Sequence, residues 1–433
     1  MEFNVCAIKS FFPALACALL ISCAGVEQSR MREAFYKADY AEACELSKGY
    51  AGSASSADEA LALLDSGFVQ AAAGYNSDSA KSLGKFLNFY GKAEADGASY
   101  KPANAEYMAA SYSLALSFLS LGDKEAARAV LDFAAKLSKS APEDFVRYSE
   151  KELSELMKLK AEKAVFDLRD MFAPQNAPFT RELSLAFKVD NPFPNTGARR
   201  AFMERALDLP VISLLEGIIA LSELKSVGEI DYAQNKFIEA SRKVPANIFL
   251  PRDVQILNEA RKKGFVPNMT FVFFESGLGA ISAEGEAYGH LYNSAGRRIY
   301  PDIFKFKMLK FSGTFGNDLS ILSNGKFYRP LSIADFDSAR RLEEVARLPL
   351  EIPRRVFESV EAFSENRPPK ALDLRSPCAL PVSVYYASLE TPKDKKIYID
   401  GLKVELADAP VNIVRARRSM PNTKCSVQVF SLR

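Results

Sequence analysis

The sequence is defined first by what it lacks. Its 433 residues include one histidine, His290, and no tryptophan. One histidine excludes an HExxH zinc site, a two-His-one-carboxylate iron site and any His-rich metal tract. A Ser-His-Asp or Cys-His pair has only His290 to draw on. There is no CxxC pair among the six cysteines, which removes the usual zinc and redox motifs. GxSxG, the phosphate-cradling GxxxxGK[ST] and the dinucleotide GxGxxG are also missing. Charge of one sign is not in excess: 56 Lys and Arg against 54 Asp and Glu leave +2, which argues against a nucleic-acid partner. The composition calls for no cofactor and no metal.

What is present begins with an address. Lys9 precedes a short apolar run from Phe11 to Ile21, too short to span a bilayer but suited to a secretory signal. The run ends in Leu20-Ile21-Ser22-Cys23, which resembles the lipobox of bacterial lipoproteins. The resemblance implies cleavage before Cys23 and a lipid on its thiol. That lipid would be the only membrane attachment, because no later stretch is long and apolar enough to cross. Ala24 follows where inner-membrane-retained lipoproteins often carry Asp, so a Gram-negative host would imply the outer membrane, on its periplasmic side or at the cell surface. The rival reading is a plain secretory signal or an uncut anchor.

From Met31 to Lys243 the chain is alanine-rich, with apolar residues recurring at three and four. The spacing predicts helices over Ala105–Leu121 and Lys124–Ser138, joined at Gly122-Asp123 by a C-terminal glycine and an N-cap aspartate. A second pair is expected over Leu207–Leu224 and Asp231–Val244, with Gly228, Ala233, Phe237, Ala240 and Pro245 at matching offsets. Weaker pairs turn near Asp39-Tyr40 and Tyr75-Asn76, the latter packing Ala60–Ala73 on Ser79–Ala95. Alanines allow close helix approach and large residues fill the grooves, as in tetratricopeptide repeats. A plain helical bundle uses the same spacings. Glu143–Phe172 reads as one further helix with a solvated charged face, and Ala173–Ala198, with four prolines, as a linker.

After Gly264 the pattern turns to strands: Thr270–Phe274, Ile303–Phe311, a hairpin turning at Asn324-Gly325, and short runs at Val382–Ser388, Lys396–Ile399, Val411–Ala416 and Ser426–Leu432. Two helices, Ile333–Arg347 and Ile352–Phe363, interrupt them. The expected architecture is α+β and multidomain. Residues 1–22 form the signal, 23–265 a tetratricopeptide-like α-solenoid, and 266–433 a small β-rich, sandwich-like domain with inserted helices.

The stretch Phe271-Val272-Phe273-Phe274-Glu275-Ser276-Gly277-Leu278-Gly279 resembles the FFExGLGP signature of a family of uncharacterised bacterial lipoproteins. Ser332–Arg340 with Leu348–Val356, and Leu372–Pro377 with Leu380-Pro381, are similar to that family's later segments. Pro377 stands where the family usually has Trp, and Ala280 where it usually has Pro. The resemblance implies a tetratricopeptide-like N-terminal half, a β-rich C-terminal half and a place in cell-envelope assembly; some members are encoded near lipoprotein activators of penicillin-binding proteins.

The candidate ligand or partner residues are Glu275, Gly277, Gly279 and Arg375: a carboxylate ending an apolar strand beside glycines that permit close backbone approach, and a cation before a Ser-Pro turn. The competing reading has Glu275 capping a turn or pairing with an arginine. Cys378 and Cys425 either form a disulfide or remain two buried thiols, and Cys44 is core filler. Ser82-x-x-Lys85 and Ser222-x-x-Lys225 match the bare Ser-x-x-Lys of penicillin-binding enzymes, but they lack the companion motifs and are set aside. His290 falls outside every signature. The reading is a non-enzymatic, lipid-anchored envelope protein that binds another protein or peptide through its helices. The alternative is a carboxylate-dependent enzyme acting on glycan or peptidoglycan.

Overall fold

A computed structural model describes residues 28–55, 58–91, 100–163, 165–166, 187–188, 191–194, 196–226, 229–279, 281–288, 291–292, 303–310, 318–344, 346–347, 377 and 379–433. The expected signal and Cys23, His290, the expected helix Ile352–Phe363, Arg375 and Cys378 lie outside these residues, as does Gly228.

Helices fill the first half: α1 (28–36), α2 (Tyr40–Ser53), α3 (Glu59–Ala73), α4 (Asn76–Leu87), α5 (Asn104–Ser120), α6 (Lys124–Lys163), α7 (Thr196–Leu207), α8 (Pro210–Ser222), α9 (Ile230–Lys243) and α10 (Phe249–Lys263). Local chemistry places their ends. Asp39 caps α2 by accepting the Glu42 N–H at 3.1 Å. Between α5 and α6, Gly122 takes φ +80° and the Asp123 side chain accepts the Ala126 N–H at 2.9 Å. Each of α2 to α6 packs on the next, as do α8, α9 and α10, with Ala115, Ala127, Leu131, Ala134, Ala233 and Ala240 fully buried at the seams. One expected break is absent: α6 runs 40 residues straight through Pro142, because Ala141 and Phe145 on either side are buried and packing outweighs the lost backbone bond.

The second half is built of sheets. The principal one is five-stranded, in the order β6 (Leu331–Asp335), β7 (Ser383–Glu390), β1 (Met269–Ser276), β10 (Val411–Arg418), β11 (Ser426–Leu432). All its pairs are antiparallel except β1 with β10, which run parallel. Every residue of β1 and β10 is buried, as expected of strands covered on both faces. A four-stranded sheet has the order β9 (Leu402–Glu405), β8 (Lys396–Ile399), β4 (Ile321–Ser323), β5 (Lys326–Tyr328). Its β4–β5 turn carries Asn324 at φ +50° and Gly325 at φ +72°, the two positive angles of a type I′ hairpin. β2 (Ile281–Tyr288) pairs with β3 (Ile303–Lys310), and two shorter pairs join Val165–Phe166 to Leu291–Tyr292 and Phe187–Lys188 to Asn191–Pro194. The expected helix Ile333–Arg347 begins later. Residues 331–335 form edge strand β6, and Asp335 then caps a helix, α11 (336–344), through the Ser338 N–H at 2.8 Å.

The chain is thus mixed α and β, with helices first and sheets second. The helical layer lies on the five-stranded sheet. Phe237 meets Phe271 at 6.1 Å between ring centroids, Tyr112 meets Phe273 at 6.3 Å, and Phe249 meets Tyr386 at 6.5 Å. Edge strand β11 is tied to α3 by Gln428 and Ser426, which donate to the carbonyls of Ala71 and Ala72 at 2.6 and 2.7 Å. One continuous buried cluster runs from Met31 to Leu432, so helices and sheet share a core across the 265/266 boundary.

Candidate functional site

Alternation along β1 turns Phe271, Phe273 and Glu275 toward the helices and Phe274 toward the other face. On β10, parallel register sets Arg415 beside Phe273 and Arg417 beside Glu275. Arg415 Nε donates to Glu275 Oε1 at 2.6 Å and its Nη2 donates to Ser113 Oγ of α5 at 2.8 Å. Arg417 Nη1 lies 3.6 Å from Glu275 Oε2, while Nη2 donates to the carbonyls of Gly277 and Ala379 at 2.8 and 3.1 Å. All three charged side chains are 2% exposed. Burial lowers the Arg417 pKa, against the opposing pull of Glu275. Burial, followed by the Glu275 charge, pushes the Tyr112 hydroxyl well above its ordinary value.

Glu275 therefore does not end its strand at an open turn. It sits inside a central strand, sealed beneath α5, as an arginine's partner. The adjoining glycines have structural duties. Gly277 takes φ +88°, and a Cβ on Gly279 would stand 2.0 Å from the Pro377 carbonyl oxygen. Cys425 is a buried free thiol whose pKa burial raises to about 11, and Cys44 is also a buried free thiol. Ser82 and Ser222 are occupied in local bonds, to Gln70 Oε1 and the Ile219 carbonyl.

Two further buried clusters join the halves. Asp253 of α10 accepts from Tyr386 Oη at 2.6 Å and from Ser388 Oγ, and burial raises its pKa to about 7. At the start of α5, Glu343 of α11 accepts the N–H groups of Asn104 and Ala105, each at 2.9 Å, while Glu106 pairs with Arg340 at 2.7 Å and accepts from Tyr100 Oη at 2.5 Å. Both were missed in sequence. The Asp253 cluster depends on α10, which only Leu250, Leu257, Ala260 and the glycine stop at Gly264 (φ +77°) could have signalled.

A solvent-open groove of about 690 Å³ lies among α5 to α9. Met108, Leu207, Leu209 and Ile212 give it an apolar floor. One wall, from α8 and α9, is an ion-pair ladder: Lys236 on Glu216 at 2.6 Å, Lys243 on Asp208 at 2.7 Å, and Glu239 between the two lysines, accepting from Ser213 Oγ at 2.8 Å. The ladder lowers the Glu239 pKa, with Ser213 and the lysines overcoming burial. The other wall, from α6 and α7, presents Lys139, Glu204 and Arg205. Among the described residues there is no group of three or more His, Cys, Asp or Glu arranged to hold a metal, and no helix long and apolar enough to cross a membrane.

No family model matches the sequence, and no curated protein or solved structure matches it.

Proposed function

We propose that this is a lipid-anchored cell-envelope protein whose N-terminal helices form a tetratricopeptide-like array that binds another protein or a peptide. The observation that carries the binding reading is the open groove among α5 to α9, with an apolar floor between charged walls. Stacked helix pairs expose such grooves as extended surfaces for partners. The carboxylate singled out for chemistry, Glu275, is 2% exposed and held by Arg415, so that residue is not placed at a surface to act on a glycan. The anchoring part of the reading rests on Leu20-Ile21-Ser22-Cys23.

A photo-crosslinking residue at Ser138, on the groove wall, and another at Phe327, far along the chain and 77% exposed, test the binding role in the producing bacterium. A single envelope protein joined at position 138 and not at 327 is the expected result; equal capture at both positions removes the support for a groove-specific partner. A mass measurement of the mature N-terminus should find acylated Cys23, and an unmodified Met1 start would overturn the anchor.

A further inference from the structure

We propose that the groove between the α6–α7 wall and the α8–α9 wall takes an acidic peptide segment, whose carboxylates are held by Lys139 and Arg205. This inference rests on the peptide-binding reading above and names the chemistry of the partner.

It follows from which groove charges are already spoken for. Every carboxylate lining the groove has a cation of this chain on it. Asp208 has Lys243, Glu216 has Lys236, Glu239 has both lysines, and Glu204 has Arg200 Nε at 2.9 Å. The two lysines of the α8–α9 wall are used up in that ladder. Lys139 and Arg205, both exposed, have no ion pair among the described residues.

They also stand together. Arg200 pairs with Glu143, and the Arg199 guanidinium lies 5.5 Å from the centre of the Phe145 ring, so α6 and α7 run antiparallel with rising numbers on one matching falling numbers on the other. One turn back from Glu143 on α6 and one turn on from Arg200 on α7 bring Lys139 level with Glu204 and Arg205. The two cations therefore lie level with each other on neighbouring helices of one groove wall.

A further cation of α7, Arg199, is packed against Phe145 of α6 outside the groove lining. Arg199 is fully buried, and its Nε, Nη1 and Nη2 have no hydrogen-bond partner. Burial alone lowers its pKa, to about 10, with no carboxylate pulling it back. The groove's volume is within the range of about 300–1,000 Å³ typical of ligand sites, and the apolar floor can take the aliphatic side chains between the acidic ones. An alternation of acidic and aliphatic residues matches both the charge and the floor.

The test uses the full mature chain and two fluorescein-labelled octapeptides, one alternating Asp with Leu and one alternating Lys with Leu. Fluorescence anisotropy at low salt should show the Asp-Leu peptide binding at least tenfold more tightly, with affinity falling as salt screens the charges. Lys139→Glu with Arg205→Glu should weaken that peptide at least tenfold, while the melting temperature stays within a few degrees because both residues are exposed. Lys326→Glu with Lys403→Glu, on the four-stranded sheet, should leave binding unchanged. Equal affinity for the two peptides, or an equal loss in both double variants, overturns the proposal. Undiminished Asp-Leu binding by the groove variant overturns the site and leaves a peptide-binding array standing elsewhere. If neither peptide binds the unaltered chain, the acidic-peptide proposal is overturned, while the broader binding reading stands or falls by the crosslinking at Ser138.

Discussion

Arg415 and Glu275 face each other on the two parallel strands at the heart of the sheet, Nε to Oε1 at 2.6 Å, each 2% exposed. Two buried guanidiniums share this one carboxylate, because Arg417 also approaches it. Taking charges out of water is costly, and the pairing is what offsets the cost. The arrangement works as an internal strut between sheet and α5, through the Arg415 bond to Ser113.

Glu275→Gln should therefore destabilise the fold by about 3–5 kcal/mol, since it leaves two buried cations without a counter-charge. Urea denaturation followed by circular dichroism measures this. Adding Arg415→Met, which removes one of the stranded charges, should recover part of the loss. A Glu275→Gln protein as stable as the original would mean that the pair is not buried as described.

Asp253 should make stability depend on pH. Its carboxyl titrates near 7 in the folded protein, raised by burial, against about 3.9 in an unfolded chain. Between those values the folded protein holds a proton that the unfolded chain has lost. Stability therefore falls as pH rises through that window, by up to about 1.4 kcal/mol per pH unit. Asp337, also raised to about 7 by burial and then by the Asp335 charge, adds in the same direction. Denaturation midpoints between pH 4 and 8 should show the slope, and Asp253→Asn should flatten it. An unchanged slope would contradict the assignment.

Gly279→Ala should cost about 2 kcal/mol or more, because the new methyl meets backbone, the Pro377 carbonyl, and not a side chain that can swing away. Gly84→Ala, at a half-buried position of helix α4 where a Cβ meets nothing within 4 Å, should be neutral or slightly stabilising. Thermal melts of the two variants side by side give the comparison.

Glu343→Ala should loosen the start of α5 by about 1–2 kcal/mol, since its carboxylate accepts two of the first N–H groups of that helix from a distant part of the chain. Hydrogen exchange should accelerate at Asn104 and Ala105 before the rest of α5.

Cys425 should resist thiol reagents at pH 8 in the folded protein and react on unfolding, because burial both shields it and keeps it protonated. Quantified labelling with and without urea reads this directly. Rapid labelling of Cys425 in the native protein would show the thiol to be accessible.

Much of the architecture was legible because local chemistry carries it. Gly122-Asp123 behaves as the stop-and-start junction that its residue types demand, and Asn324-Gly325 forms the hairpin turn that those residues favour. Ala233, Phe237 and Ala240 fall on the buried stripe that their spacing implied. Departures from the local pattern come from a short turn cue or from a tertiary contact. Asp400-Gly401, at φ +48° and +80°, is a hairpin signal of the same kind and turns the chain into the unexpected strand β9. Lys124–Ser138 and the segment from Glu143 read as separate helices, yet α6 joins them through Pro142, whose neighbours are buried. Glu275 reads as ending its strand or as pairing with an arginine; its strand continues one residue further in register with β7 and β10, and the arginine partner is Arg415.

By itself, the sequence determined the order of elements, helices before strands, and most of their ends, because apolar periodicity, caps and turn residues act over only a few positions. It also determined which chemistry is out of reach, since a chain with one histidine and no CxxC cannot supply the missing groups. Only the tertiary structure decided that Glu275 is locked to Arg415, 140 positions away, that Glu343 caps a helix 239 positions earlier, and that Lys139 and Arg205 share one groove wall. Those relationships depend on strand order, parallel register and helix crossing, which are settled by how surfaces fit and bury, and no local pattern encodes them.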